Sequence, residues 1–350
     1  MIHLLPRKRY SPIGVDIGTK SVKLVQLTAD RSRVIEHVRW ELPVDPDGAE
    51  PSSESYVEAI TRAREDREFR GNEAVLCLSD RHLFLQNVRI PKAEAGEMDL
   101  LVAREAAGRL PFGVEEAEIR HVEAADVRQG DIVLREVIVM ACQRSVLDEA
   151  LSILERAELR PVAVDVEPAA LVRSCERQFR RDNDRDQRTM LVHVGHSRTA
   201  VVIAQCEHIL FVKYIDAGGL QMDMAVARYL DMTLPEAIAL RRHNGDRRID
   251  QQDPEVGRSI TEAIRPVTER LCAQLSQCVR YHSVTFRGKP LVRLMLSGGE
   301  ATPQLLETIA SRMNMKCELT DSMRNMSPST PGDRNGQWDV ALGLALREVT

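Results

Sequence analysis

The residues best placed to do chemistry sit in one stretch, Gly14-Val15-Asp16-Ile17-Gly18-Thr19-Lys20-Ser21-Val22-Lys23-Leu24-Val25. Gly18 supplies a backbone that bends where a side chain would obstruct, and the polar Thr19, Lys20 and Ser21 follow it. A tight turn of this make-up aims several amide N–H groups, two hydroxyls and a lysine at one point, the donor set of a phosphate cradle. Asp16, just ahead of the turn, is placed to hold Mg²⁺ or its waters. Lys23, just beyond it, adds a second cation to that donor set. On these residues alone, an ordinary Asp-x-Gly hairpin is the plainer reading.

The elements that must position this turn are two short strands. Val15 and Ile17 fall on one side and Asp16 on the other, and Val22, Leu24 and Val25 read as the returning strand. The phosphate reading gains weight from a second copy, Val192-His193-Val194-Gly195-His196-Ser197-Arg198-Thr199-Ala200-Val201-Val202. Val15 pairs with Val192 and Gly18 with Gly195, so Gly195, His196 and Ser197 form a second turn. Two such units this far apart suggest two related halves offering turns to a shared cleft. A third piece, Leu294-Met295-Leu296-Ser297-Gly298-Gly299-Glu300, runs a buried strand into a double glycine ahead of a helical pattern over Thr302–Asn314. Backbone free of side chains there lets a flat base or a ribose come close.

First turn, second turn and double glycine, in that order, resemble the two phosphate motifs and the adenosine motif of the actin-like ATPase superfamily. The opening GVDIGTKSVKLVQL is similar to the start of the PilM family of type IV pilus assembly proteins, relatives of the division protein FtsA. Pro111-Phe112-Gly113, REVIVMAC, AELRPVAVDVEPAAL, AGGLQMDMAVARYL, LSGGEATPQLLETIA and WDVALGLALRE extend the likeness over nearly the whole chain. The resemblance implies an α/β fold of the actin-like ATPase type: two lobes, each a mixed β-sheet with packed helices, and an inserted FtsA/PilM-type subdomain. It implies ATP and Mg²⁺ as cofactors, with phosphates at Thr19–Ser21 and Gly195–Ser197 and the base near Gly298, Gly299 and Glu300. The partners it implies are the cytoplasmic tail of a PilN-like inner-membrane protein and other proteins of the pilus platform, with a homo-oligomer left open. No nucleic acid is implied, and membrane contact comes only through partners.

Composition sets the bounds. At 350 residues the prior is two domains, and 43% hydrophobic content with few aromatics suits an aliphatic core. A net charge of −5 gives no basic footprint for nucleic acid. The 7 scattered cysteines form no Cys-x-x-Cys pair and read as reduced, buried thiols of a cytoplasmic protein. No apolar run approaches the ~18 residues of a membrane span.

In chain order, residues 1–12 form a basic arm whose Ile2-His3-Leu4-Leu5-Pro6 is similar to the short motif by which PilN docks into PilM. If that likeness is real, the arm competes for the PilN groove. A first actin-like lobe is expected over 13–82 and 158–182, with a small docking subdomain inserted at 83–157. The insert reads as strand, helix, two strands and a closing helix Val146–Ala157. Val162–Ala170 then enters a helix at Glu167-Pro168, the place where chaperones of the superfamily carry a glutamate near the attacking water. A carboxylate there orients water for in-line attack, so Asp16 and Glu167 are the catalytic candidates; a simple helix-capping role is the alternative. Arg180–Arg188 links to the second lobe, 189–350, with an upper subdomain near 230–288 and a hinge helix at Trp338–Glu348.

The sequence departs from the superfamily pattern in two places. The second phosphate motif normally opens Asp-x-Gly, and here it is His193-Val194-Gly195. A neutral imidazole serves Mg²⁺ poorly, and losing such a carboxylate costs about 10²–10⁴-fold in rate, roughly 3–5 kcal/mol. The family's Glu-x-x-Lys pair beside adenine aligns with Ile238 and Arg241, leaving Arg241 to stack on the base. His193 and His196 lack the third and fourth ligands of a zinc site. The expectation is therefore a nucleotide-binding adaptor with weak or absent hydrolysis, cytoplasmic and peripheral to the inner membrane. Its rivals are an active actin-like ATPase, weak or otherwise, that drives pilus assembly, and an FtsA-like filament former. The second rival is weakened because the chain ends at Thr350 without an amphipathic anchor.

Overall fold

The computed structural model describes residues 10–43, 51–92, 95–178, 187–246, 253–286, 288–324, 326 and 334–349. The Ile2–Pro6 stretch and most of the charged link between the halves lie outside them.

The chain opens with β1 (Ile13–Ile17), β2 (Ser21–Leu27) and β3 (Val34–Glu41), an antiparallel meander. Helix α1 (Ser53–Arg64) starts at the side-chain cap of Ser52 and carries the chain to β4 (Glu73–Leu78), which runs parallel to β1. After an insertion, β8 (Arg160–Val166) joins β4 in parallel, giving the order β3-β2-β1-β4-β8. The second half repeats this arrangement. β9 (Arg188–Val194), β10 (Thr199–Gln205) and β11 (His208–Ile215) form the meander, and β12 (Leu291–Ser297) and β13 (Lys316–Leu319) add in parallel, order β11-β10-β9-β12-β13. The expected duplication is therefore present in the topology as well as in the motifs.

The two halves differ in what they insert. Between β4 and β8 lie β5 (Phe84–Pro91), α2 (Ala95–Ala107), β6 (Ala117–Gln129) and β7 (Ile132–Gln143), a three-stranded sheet of order β5-β7-β6 backed by α2. Helix α3 (Arg144–Arg156) follows, and α4 (Glu167–Glu176) comes after β8. The sequence reading places α3 inside the insert. Its buried Ile153 and Leu154 instead pack with Ile13, Val15 and Leu76 in the first lobe, where α3 is the crossover between the parallel strands β4 and β8. The second half inserts helices instead: α5 (Gly219–Leu230), α6 (Leu234–Asp246) and α7 (Pro254–Thr285) lie between β11 and β12. Asp253 caps α7 and Pro254 begins it. α8 (Pro303–Ala310), capped by Thr302 and shorter than the pattern over Thr302–Asn314 suggests, is the counterpart of α3.

The closing helix α9 (Asp339–Ala345) is buried throughout and packs against α4 between the lobes. Their approach is close enough that a Cβ on Gly343 would collide with the Ala170 carbonyl, and one on Gly14 would collide with the Ala341 carbonyl of α9. A core shared by both halves, including Leu171, Val202, Met295 and Leu344, fills the space around this helix pair. Among the described residues, no helix is long and apolar enough to cross a membrane.

Candidate functional site

Both glycine turns adopt the same local geometry. Gly18 donates its N–H to the Ser21 carbonyl at 3.1 Å, and Gly195 donates to Arg198 at 3.0 Å. A Cβ at either position would press on that same carbonyl. The turns face each other: the Thr19 and Ser197 hydroxyls are 3.0 Å apart, although 178 residues separate them in sequence. The double glycine closes the third side. Gly298 has φ +103° and packs against the Val194 backbone at the base of the second turn, so no side chain fits there. Gly18, Thr19, Lys20, Ser21, Lys23, Gly195, His196, Ser197, Arg241, Gly299 and Glu300 all line one cavity of about 190 Å³, together with Asp16 and Glu167.

At the double-glycine end of the cleft, Arg241 does not project freely into the space. Its guanidinium donates to Asp223 at 2.6 Å and to Glu300 at 2.7 Å, so any stacking uses a fork already fixed in place. Burial opposes ionisation of Glu300, but Arg241, Lys20 and Arg334 outweigh it and hold the carboxyl down at about 2. Glu300 is thus a positioning anion beneath the N-terminus of α5, where Gly219 leaves room for it.

At the end formed by the two glycine turns, Lys20 reaches across the cleft to within 4.0 Å of Asp223, and its own burial lowers its pKa. Asp16, read as a Mg²⁺ anchor, has another partner: Lys23, its cross-strand neighbour, sits 2.8 Å from Oδ2. His193 occupies the matching position in the second half. One ring nitrogen, Nδ1, lies 2.8 Å from the Ser297 hydroxyl, and Nε2 is 3.6 Å from Glu167. Burial, then Lys23, push this imidazole down to about 4, so it is neutral at physiological pH. Burial, then Asp80 and Asp16, raise Glu167 to about 8, leaving it mostly protonated. The residues present therefore suit a polyphosphate but fit Mg²⁺ poorly. Asp16 is neutralised by lysine, His193 is a neutral imidazole, Glu167 keeps its proton, and Asp80, also in the lining, faces Arg198. Among the described residues, no group of three His, Cys, Asp or Glu side chains is arranged to hold a metal.

Several site residues go unnoticed in the sequence. Asp80 and Arg81 follow β4, and they bridge the lobes through Arg198 and Ser197. Glu41, at the end of β3, pairs with Arg242 of α6 across the same opening at 2.8 Å. A signal for Asp80 was present: β4 is the counterpart of β12, whose end was already read as a binding edge, and ligands gather where parallel strands end.

Comparison with known proteins agrees with this architecture. The family model for the type IV pilus assembly protein PilM matches residues 14–349. A solved structure described as a PilM–PilN type IV pilus biogenesis complex superposes with TM-score 0.79 at 22% identity, covering 97% of this chain and 98% of that one. The ethanolamine utilization protein EutJ from Carboxydothermus hydrogenoformans gives TM-score 0.59 at 14% identity, covering 99% and 92%. An archaeal actin homologue gives 0.51 at 11% identity, covering 96% and 98%. These likenesses are to the actin-like ATPase fold.

Proposed function

The chain belongs to the type IV pilus assembly protein PilM family, and from that premise we propose that it is a nucleotide-binding adaptor of the pilus assembly platform. Its insert receives the cytoplasmic tail of a PilN-like inner-membrane protein, as the matched complex pairs PilM with PilN. The chain itself stays on the cytoplasmic face and reaches the membrane through that partner. Nucleotide binds between the lobes, its phosphates at the two glycine turns and its base beside Gly298, Gly299 and Arg241. The observation that carries this reading is the convergence of Thr19 and Ser197, one from each duplicated half, at 3.0 Å.

Hydrolysis is slow or absent on this reading. Asp16 and Glu167, the catalytic candidates, are respectively paired with lysine and mostly protonated, so neither is a ready base. Nucleotide then acts as a conformational ligand. A cavity of about 190 Å³ falls below the roughly 300–1,000 Å³ of sites that enclose small molecules. Admission of a whole nucleotide requires the lobes to part, breaking contacts such as Arg242–Glu41 and Arg198–Asp80. The insert feels that motion because it is fastened to the second lobe. Buried Glu136 of β7 accepts a hydrogen bond from Tyr281 of α7, and Asn87 of β5 donates to the Val212 carbonyl of β11 at 2.8 Å. The test is titration of a PilN-type tail peptide into the full chain with and without ATP. The expected result is saturable binding whose Kd shifts at least threefold with ATP, and an unaltered Kd removes the coupling.

A further inference from the structure

We infer that the cleft takes nucleotide as the metal-free anion, with Lys23 holding Asp16 away from any metal and the surrounding Lys20 and arginines doing the charge neutralisation that Mg²⁺ performs elsewhere. The inference rests on the nucleotide reading above and specifies the ionic form of the ligand.

Three independent features converge on it. The first is occupancy. The Asp16 carboxylate and the Lys23 ammonium lie opposite one another in the β1–β2 register, 2.8 Å apart, and each side chain is only 12–13% exposed. A divalent ion drawn to Asp16 would have to displace an ammonium that is anchored on the next strand and remains close by. Two cations a few ångströms apart in a cleft partly shielded from water repel one another.

The second feature is the matching position of the other half. There the side chain is His193, whose Nδ1 faces Ser297 and whose Nε2 faces Glu167. Both ring nitrogens are directed at protein groups, and a neutral imidazole is in any case a weak ligand for a hard, oxygen-seeking ion. Mg²⁺ binds nucleotides through one or two protein carboxylates together with the phosphates, and neither strand supplies a free one.

The third feature is charge. Among the described residues, seven lysines and arginines line the cavity against five carboxylates, and one of those, Glu167, is mostly protonated. Counting Asp223 behind Lys20 and Arg241 as a sixth carboxylate, the positive charges still outnumber the negative ones before any metal enters. Arginine and lysine side chains neutralise phosphate oxygens directly through charge-assisted hydrogen bonds.

The experiment is calorimetric titration of ATP into the full chain, once with excess Mg²⁺ and once with EDTA, at one ionic strength. The expected result is Kd values within threefold of one another. Lys23→Met should then weaken binding in EDTA at least tenfold and weaken binding in Mg²⁺ less, because Asp16 is released to serve the ion. ATP binding at least tenfold tighter with Mg²⁺ in the wild type overturns the inference and leaves the nucleotide reading standing. Absence of saturable binding in both buffers overturns both. The two wild-type titrations decide the question even if Lys23→Met fails to fold.

Discussion

At the scale of single residues, Asp16 and His193 occupy the same place in the two duplicated halves and have been put to different use. The aspartate holds Lys23, and the histidine holds Ser297 and faces Glu167. Glu167 carries the clearest signature in the pH dependence of stability. Its carboxyl titrates near 4.5 when exposed and at about 8 in the folded chain, burial being the main cause. Between those values the folded state keeps a proton that the unfolded state has lost, so this group makes stability fall as pH rises through that window. His193, lowered from 6.5 to about 4 by burial, acts in the opposite sense but only below pH 6.5. From pH 6.5 to 8 the Glu167 contribution is therefore unopposed by His193. Glu167→Gln is expected to flatten the decline of Tm over that range and to raise stability at pH 8 by up to about 2 kcal/mol. Thermal melts at half-unit pH steps read this directly, and an unchanged slope would show that Glu167 is ionised at neutral pH. The Gly18 and Gly195 turns were legible in the sequence because they depend on local chemistry. The pairing of Asp16 with Lys23 is equally local, since both lie in one hairpin, but an Asp-x-Gly motif by itself points to a metal and carries no sign of the cross-strand partner.

At the scale of elements, the structure depends on how closely α4 and α9 approach. Gly343 permits the crossing, because any side chain there meets the Ala170 backbone, and Gly14 lets β1 pass beneath α9 in the same way. Gly343→Ala is expected to destabilise the chain by about 1–3 kcal/mol through overpacking, measured as a lower denaturation midpoint with the m-value unchanged. A midpoint equal to the wild type would mean that the helices separate without cost and that their contact does not define the lobe geometry. Strand patterns, the duplicated meanders and the hinge helix were readable because burial leaves a direct mark on side-chain type. The assignment of α3 was not readable. Local periodicity marks Arg144–Arg156 as an amphipathic helix but does not say which sheet receives its apolar face. Only the long-range contact of Ile153 and Leu154 with the first lobe decides it. The same holds for the pairing of Glu41 with Arg242 and the approach of Lys20 to Asp223, which exist only once the two halves are folded onto each other.

At the scale of the whole molecule, the insert is bonded to the second lobe, one wall of the cleft between the lobes. The three-stranded sheet belongs to the first half in sequence, yet its Glu136, Asn87 and the Ala124 carbonyl are bonded to Tyr281, Val212 and His208 of the second half. In the proposed opening, those bonds are the route by which lobe motion reaches the insert. Whatever binds the insert with a preference for one lobe position will change nucleotide affinity by the same factor that nucleotide changes its own. All of this presupposes that the two turns grip one polyphosphate, and the most direct test is ATP titration of the wild type beside Lys20→Ala and Ser197→Ala, one variant from each half. The account expects saturable 1:1 binding by the wild type and at least tenfold weaker binding by each variant, with their melting temperatures close to the wild type. Binding that is absent from the wild type, or that both variants retain at full affinity, would contradict it.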